Sequence, residues 1–220
     1  MIVLLRISPK SFNKPLPLGF RDKMECVYTC LESLRKAGIE NHKLVVISDE
    51  FPQFNFPLKY HEWLDKNGFG NEGTFYSQTD YSTSQADDEV VLYLEDDYLW
   101  RPNTLDILEK AARTLGFVSP YDHPAHYLES RFDKHYLTAL IDNNTYRTAP
   151  SNTLTFATPV SLIKKHASTL KSYGINDHEM FSKIIADGDY LWNPCYSFAT
   201  HCVENCLAPN ISWYNIKHEQ

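Results

Sequence analysis

The sequence of 220 residues lacks any apolar run long enough to cross a bilayer. Its longest apolar runs are about five residues, as in Val90–Leu94, whereas a transmembrane helix needs about 20. The first stretch, Met1–Ile7, also lacks the basic region and apolar core of a secretory signal peptide. We therefore expect no integral membrane segment and a cytoplasmic location.

Basic residues are outnumbered, with 21 Lys and Arg against 28 Asp and Glu and a net charge of −7. A chain this acidic repels polyanions at long range, so we expect no binding to nucleic acid. A phosphorylated ligand would need a cation or a few well-placed donors to be held by such a protein.

Glycine is scarce, with 8 residues, and the spacings of the common phosphate-binding loops are absent. The sequence also has no G-x-S-x-G or H-E-x-x-H motif, which argues against serine hydrolases of that type and zinc proteases. Any nucleotide site must therefore be built from other elements.

The cysteines are few and lack the C-x-x-C spacing of zinc knuckles. Cys26 and Cys30 lie one helical turn apart, and Cys202 and Cys206 share that spacing beside His201. A zinc site can be drawn from these residues, but we expect buried free thiols in a reducing compartment, because the total of five is odd.

What the chain does have is a regular alternation of apolar strands and amphipathic helices in its first 120 residues. This alternation predicts an α/β fold with a mostly parallel central sheet and helices on both faces. Segments 51–73 and 121–147 are expected to be irregular. The predicted strands are 2–7, 43–48, 90–94, 117–119, 153–160 and 196–200, and the predicted helices are 21–37, 74–86, 103–115, 161–173 and 177–186.

Acidic residues follow two of these strands. Asp49 directly follows KLVVIS, and Glu95-Asp96-Asp97 directly follows VVLYL, the most apolar strand of the chain. Three adjacent acids often mark a solvated loop, but directly after a buried strand they favour a site with a neutralising partner. Since strand side chains alternate, we expect Glu95 and Asp97 to share one face, where they suit Mg²⁺ or Mn²⁺, and Asp96 to point the other way. Such an ion would let an acidic protein hold a diphosphate.

The stretch Val90–Pro102, VVLYLEDDYLWRP, resembles the signature of metal-dependent, family-2-like GT-A glycosyltransferases, with a D-x-D-type acidic triplet after an apolar strand. The resemblance implies a GT-A fold for residues 1–220 as one domain. Residues 1–120 would form the nucleotide-sugar-binding half and 121–220 the acceptor-binding half. It further implies that Asp97 binds Mn²⁺ or Mg²⁺, that Glu95 faces the nucleotide and that Asp96 supports both.

The same resemblance assigns further residues to the donor. Arg6, Ile7 and Ser8, at the end of the first strand, would line the nucleotide pocket. Asp49 would accept a hydrogen bond from the base or ribose, although a turn-capping role suits it equally. Apart from the resemblance, Asp122 lies in a segment that follows a predicted strand and would reach toward the donor sugar, with a plain turn as the alternative.

Two later elements complete the implied site. Asp177 occupies the position of the catalytic base in inverting GT-A enzymes, and Glu179 is the rival base; an N-cap role for Asp177 is also consistent with its place at a helix start. His201, at the end of a late strand, would complete the metal shell with Asp97 or contact the diphosphate.

The resemblance therefore predicts a metal-dependent glycosyltransferase that moves a sugar from a nucleotide-diphosphate donor, with a UDP-sugar favoured, to a carbohydrate or other hydroxyl acceptor. Two alternatives stay open. A nucleotidyltransferase would use similar carboxylates, but its glycine-rich basic loop is matched here only by Lys10, Lys14 and Gly19. A non-catalytic nucleotide- or sugar-binding module would hold the metal without turnover.

Overall fold

The computed structural model describes residues 1–10, 15–128 and 136–218, so Lys14 of the predicted basic loop lies outside the described residues. The strands are β1 (Ile2–Ile7), β2 (Lys43–Ser48), β3 (Glu62–Asp65), β4 (Val90–Glu95), β5 (Tyr98–Trp100), β6 (Phe117–Val118), β7 (Thr138–Ile141), β8 (Asn144–Ala149), β9 (Phe156–Pro159), β10 (Leu191–Pro194) and β11 (Ala199–His201). The helices are α1 (Lys23–Lys36), α2 (Gly70–Thr83), α3 (Leu105–Leu115), α4 (Ala125–Leu128), α5 (Val160–Tyr173), α6 (Asp177–Ala186) and α7 (Trp213–His218).

The main sheet has the strand order β3-β2-β1-β4-β9-β6-β10-β8-β7. Strands β8 and β9 pair antiparallel with their neighbours, and the other strands run in one direction. The predicted α/β class with a mostly parallel sheet is therefore confirmed. A small second sheet pairs β5 with β11. Within the described residues, no helix combines the length and apolar character needed to span a bilayer.

Strand alternation divides the core into two layers. In β1, Val3 and Leu5 pack in the layer with α1 and α3, whereas Ile2 and Leu4 pack in the layer with α2, α5 and α6. Each layer buries an apolar stripe of its helices against one face of the sheet. The predicted arrangement of helices on both faces is thus confirmed.

Helix α2 begins at Gly70, four residues before the predicted start, and is rich in Ser and Thr. Its hydroxyls are satisfied within the helix, for example Ser82 Oγ donating to the Gln78 carbonyl at 2.8 Å. The buried Gln78 amide donates to the Leu4 carbonyl of β1 at 2.6 Å. Side-chain bonds of this kind allow a helix with little apolar surface to pack on the sheet.

The second segment predicted as irregular, 121–147, contains most of a β-hairpin, β7–β8, at one edge of the sheet. Asp142 and Asn143 connect its strands with φ values of 47° and 62°. Left-handed Asp and Asn residues are typical of two-residue hairpin turns. The prediction of weak structure here was wrong because β7 lies at the sheet edge and alternates between exposed and half-buried residues.

Candidate active site

The candidate site lies at the carboxyl ends of β1, β2 and β4. Strand β2 adds on one side of β1 and β4 on the other, so the chain reverses its direction of sheet growth between β1 and β4. Crevices at such switch points are the usual ligand sites of open α/β sheets. Register places Arg6 opposite Glu95 and Ile7 opposite Ser48, so the residues that follow meet at one edge.

A cleft of about 340 Å³ opens at this edge. It contains most of the residues predicted for the nucleotide pocket, together with others that the sequence did not single out. Its lining consists of Arg6, Ile7, Ser8, Lys10, Lys23, Asp49, Gly70, Asn71, Thr74, Glu95, Asp96 and Asp97.

Arg6 lies buried at the base of this cleft and is held from two sides. Its guanidinium donates to Glu95 Oε1 at 2.9 Å and to the Asn71 carbonyl oxygen at 2.8 Å. The same group lies 5.5 Å from the ring centroid of Phe75. Arg6 thereby connects β1, β4 and the first turn of α2, and it fixes the orientation of the Glu95 carboxylate.

The acidic triplet does not continue the alternation of β4, because the strand ends at Glu95 and the next two residues form a turn. The expectation that Asp96 points away from Asp97 was wrong. Lys23 Nζ lies 2.6 Å from Asp96 Oδ1 and 3.8 Å from Asp97 Oδ2, so both carboxylates face one ammonium. Asp96 Oδ2 also accepts from the backbone N–H of Ser8 at 2.9 Å.

Lys23 is the main residue of the cleft that the sequence reasoning missed. It lies in the first turn of α1, whose N-cap Asp22 accepts from the N–H of Glu25 at 2.8 Å. Lys23 precedes the buried Val27 by one turn, so it falls in register with the apolar stripe of the helix. A charged residue on a buried stripe indicates a buried partner of opposite charge, and this was the available signal.

The pKa values describe an ion pair between Lys23 and Asp96. Burial raises the pKa of Asp96 to about 6, against the opposing attraction of Lys23. Burial disfavours the charged ammonium of Lys23, but the two carboxylates outweigh it and raise its pKa. Both groups are therefore charged at neutral pH.

Asp97 and His201 form the second pair of the site. His201 is opposite Tyr98 in the β5–β11 pairing, and its ring stacks on Tyr98 with 5.1 Å between centroids. Its Nε2 lies 3.4 Å from Asp97 Oδ2. Despite burial, His201 and Lys23 lower the pKa of Asp97, and Asp97 in turn raises that of His201 against the effect of burial.

Asp97 Oδ1 is buried and has no hydrogen-bond partner among the described residues. An unsatisfied buried carboxylate oxygen is costly, and a bound cation is one way to satisfy it. Together with an adjacent imidazole, this oxygen is a donor set that suits Mn²⁺ or Mg²⁺. The two predicted metal ligands are thus close together and chemically suitable.

Asp49 lies at the end of β2 and lines the cleft. It is 5% exposed, and its Oδ1 accepts from the N–H of Gly68 at 2.7 Å. Asp49 therefore holds the loop between β3 and α2. Its other carboxylate oxygen remains the candidate acceptor for a nucleotide group.

Asp177 is the first residue of α6, and the N-cap is Asn176, whose Oδ1 accepts from the N–H of Glu179 at 3.4 Å. The capping function is therefore supplied by the preceding residue. Burial raises the pKa of Asp177 to about 6, with a further contribution from the negative charge of Glu95. Asp177 thus lies within electrostatic reach of the triplet, whereas the side chain of Glu179 is exposed.

Asp122 is not among the residues that line the cleft. It is 1% exposed and accepts hydrogen bonds from Arg147 at 2.8 Å and from the hydroxyl of Tyr127 at 2.5 Å. Burial raises its pKa, but hydrogen bonds with His126, Tyr127 and Arg147 outweigh burial and lower it. The structure therefore places Asp122 in a buried polar network and not at the cleft.

No family model matches the chain, and no curated protein matches it. Among solved structures, it is similar to GalNAc-T7, crystallised with UDP, GalNAc and Mn²⁺, with a TM-score of 0.57 and 11% identity over 93% of this chain. The chain has the GT-A fold. It covers 43% of GalNAc-T7, less than half of that protein's length.

A second similar structure is the galactosyltransferase LgtC in complex with donor and acceptor sugar analogues. The similarity covers 82% of this chain and 69% of LgtC, with 12% identity. Its TM-score of 0.44 is too low to add to the fold assignment.

Proposed function

We propose that this GT-A chain is a metal-dependent glycosyltransferase that moves a sugar from a nucleotide-diphosphate donor, a UDP-sugar being favoured, to an acceptor hydroxyl. The observation that carries the proposal is the buried Asp97 carboxylate, which has an unpartnered Oδ1 and the His201 imidazole beside it at the switch point of the sheet. The similarity to GalNAc-T7 with UDP and Mn²⁺ supports the same donor class.

Asp97 and His201 would hold Mn²⁺ or Mg²⁺, and few protein ligands leave coordination positions for phosphate oxygens. When bound, the ion supplies electrostatic stabilisation of the charge that develops on the departing diphosphate. Lys23 contributes a fixed positive charge beside it, since its ammonium contacts Asp96 and faces Asp97.

The nucleotide would lie along the ends of β1 and β2. Asp96 orients the backbone of Ser8, and Arg6 holds Glu95, so both sides of the cleft are fixed before the donor binds. Fixed polar groups reduce the reorganisation needed at the moment of reaction. In this proposal Asp49 accepts a hydrogen bond from the base or ribose while it continues to hold Gly68.

Asp177 would act as the general base in a reaction with inversion. With a pKa of about 6, its carboxylate is ionised at neutral pH yet basic enough to take the proton of an attacking hydroxyl. A positioned base of this kind contributes roughly 10²–10⁴-fold to the rate. Glu179 is less suited to this role because its side chain is exposed.

An assay of donor turnover tests the proposal. The chain is incubated with UDP-, GDP- and CMP-linked sugars, a panel of sugar acceptors and Mn²⁺, and the released nucleotide is identified by mass spectrometry. Acceptor-dependent release of a nucleoside diphosphate is the expected result. Release of a sugar 1-phosphate, which nucleotidyl transfer from such a donor leaves behind, would favour a nucleotidyltransferase, and donor binding without turnover would favour a binding module; either outcome overturns the proposal.

A further inference from the structure

A cluster of three thiols lies outside the candidate active site. Cys26 and Cys30 are one turn apart on α1, and Cys202 follows β11. Their sulfur atoms all lie within 4.8 Å of one another, and the Sγ atoms of Cys30 and Cys202 are 3.9 Å apart. The sequence suggested two separate pairs with His201 nearby; the fold instead brings Cys202 to the pair on α1, and neither Cys206 nor His201 belongs to the group.

The cluster is fully enclosed. Cys26, Cys30 and Cys202 are 0%, 3% and 0% exposed, and they belong to the apolar layer that covers α1. Cys195 and Cys206, the remaining thiols, are only partly buried. The position of Cys202 is fixed by its backbone N–H, which donates to the Asp97 carbonyl at 2.8 Å.

We propose that Cys26, Cys30 and Cys202 form a three-coordinate thiolate site for Cu(I). Three sulfurs bound to one ion at about 2.3 Å in a trigonal plane lie roughly 4.0 Å apart. The observed separations therefore need shifts below about 1 Å, which rotation of cysteine side chains supplies. The described residues offer no fourth Cys, His, Asp or Glu ligand atom to this group, whereas structural zinc sites almost always use four.

The surroundings favour the thiolate form at Cys26, because hydrogen bonds from the thiols of Cys202 and Cys30 lower its pKa. Burial raises the pKa of Cys30, and the hydrogen bond to Cys26 together with burial raises that of Cys202, so Cu(I) itself has to displace those two protons. Cys26 lies in the second turn of α1, near the positive end of the helix dipole. Lys23 precedes Cys26 by three residues on the same buried stripe, and its positive charge favours the Cys26 thiolate, while the negative charge of Asp97 opposes it. On binding, the thiols release their protons to the solvent, three Cu–S bonds form, and the copper stays in the Cu(I) state.

This site is chemically distinct from the proposed donor site. Soft thiolates select Cu(I), whereas the carboxylate and imidazole of Asp97 and His201 suit Mn²⁺ or Mg²⁺. The two positions are nevertheless adjacent, because Cys202 directly follows His201. The inference does not depend on the proposed glycosyltransferase activity.

The test uses the full chain with Cys195→Ser and Cys206→Ser, which leaves the three clustered thiols as its only cysteines. This protein is titrated without oxygen against Cu(I) held by a chromophoric chelator, and X-ray absorption at the copper edge counts the sulfur ligands. We expect one equivalent of Cu(I) with three sulfur neighbours. Adding Cys30→Ser should weaken binding at least tenfold and reduce the sulfur count.

Failure of the three-thiol protein to compete for Cu(I), or a copper spectrum with fewer than three sulfurs, would overturn the proposal. These measurements need no variant within the cluster, so misfolding of Cys30→Ser does not affect them. A parallel titration with Zn²⁺ tests the choice of ion: tighter retention of zinc in a four-ligand shell would show that Cu(I) is the wrong cation.

Discussion

At the scale of single residues, each carboxylate of the acidic triplet has a basic side chain beside it. Glu95 pairs with Arg6, Asp96 with Lys23, and Asp97 with His201. Only Asp97 keeps a buried oxygen without a partner among the described residues. Three adjacent acids therefore take different tasks, two in shaping the cleft and one as the candidate metal ligand.

Replacing Asp97 by Asn should remove the metal while preserving the shape of the side chain. We expect Mn²⁺ affinity to fall by more than about 100-fold, since loss of a ligand costs more than loss of a supporting contact. Electron paramagnetic resonance of free Mn²⁺ measures this directly. Asp187→Asn, which removes an exposed carboxylate paired with Lys183, serves as the control; unchanged Mn²⁺ binding by Asp97→Asn would refute the ligand assignment.

Replacing Asp177 by Asn should abolish turnover but preserve donor affinity. The pKa of Asp177 is raised to about 6 by burial, and a base acts only when deprotonated, so kcat should rise with pH through about 6 and level off above it. The pH profile of the unaltered chain, with calorimetry of donor binding for both proteins, provides the measurement. Glu179→Gln is the matched control, and loss of activity in that variant alone would reassign the base to Glu179.

Replacing Lys23 by Met should strongly destabilise the fold, because it leaves the buried Asp96 carboxylate unpaired. Breaking a buried ion pair from one side costs about 3–5 kcal/mol. Chemical denaturation gives the free energy of unfolding. Lys165→Met is the control, since Lys165 pairs with Asp189 at the same 2.6 Å but is half exposed; its loss should cost at most about 1 kcal/mol.

Removing the charge of Asp96 as well separates the two causes of the lost stability. In the double variant Lys23→Met with Asp96→Asn, the unpaired charge is absent, so part of the lost stability should return. If the double variant is no more stable than Lys23→Met alone, the cost comes from packing of the lysine chain rather than from the stranded carboxylate.

At the scale of elements, strand β9 joins the two halves of the sheet. It pairs antiparallel with β4 and with β6. Its first residue, Phe156, is buried, and its ring stacks on that of Tyr93 with 4.7 Å between the centroids. The same ring packs against Phe117 in a tilted arrangement and against Phe181 edge to face. This aromatic group connects β4 to α6, the helix that carries Asp177.

Truncating Phe156 to Ala should therefore reduce the free energy of unfolding by about 3–5 kcal/mol, as for other buried aromatic residues. Urea denaturation followed by circular dichroism measures the change. Phe54→Ala removes a ring that is 87% exposed and should stay within about 0.5 kcal/mol of the unaltered chain. Similar costs for the two variants would contradict the assigned packing.

Most of the elements could be predicted from the sequence, because buried strands such as β2 and amphipathic helices such as α6 have local periodicity that determines them. Strands β3, β5 and β10 could not be predicted in this way. They are three or four residues long, and their pairing partners lie far away in the chain. Short strands exist only where a neighbour satisfies their backbone, and that neighbour is not visible locally.

At the scale of the whole molecule, the net charge of −7 opposes binding of a nucleotide diphosphate unless cations offset it. The cleft itself contains acidic residues at the ends of β2 and β4, and Arg6 and Lys23 are already engaged by carboxylates. Electrostatics alone therefore predict that a divalent ion and the nucleotide bind together.

Calorimetry with UDP should accordingly show at least tenfold tighter binding with Mn²⁺ than after its removal by a chelator. Raising the concentration of a monovalent salt should not replace Mn²⁺, since screening weakens repulsion without supplying ligands. Equal UDP affinity with and without Mn²⁺ would indicate that Lys23 neutralises the diphosphate unaided.

The sequence alone was sufficient for the α/β class, the acidic triplet after its most apolar strand, and the closeness of Asp97 to His201 that the family resemblance implied. Those features follow from local periodicity or from a motif within one short segment. Tertiary structure decided the rest: that Lys23 neutralises Asp96, that Asp122 is enclosed by Arg147 and Tyr127, and that Cys202 joins the thiols of α1. Lys23 and Asp96 are 73 residues apart in the chain, Arg147 and Asp122 are 25 apart, and Cys30 and Cys202 are 172 apart; Tyr127, 5 residues from Asp122, is the one near neighbour. Only the packing of α1 and the order of the strands bring the distant partners together.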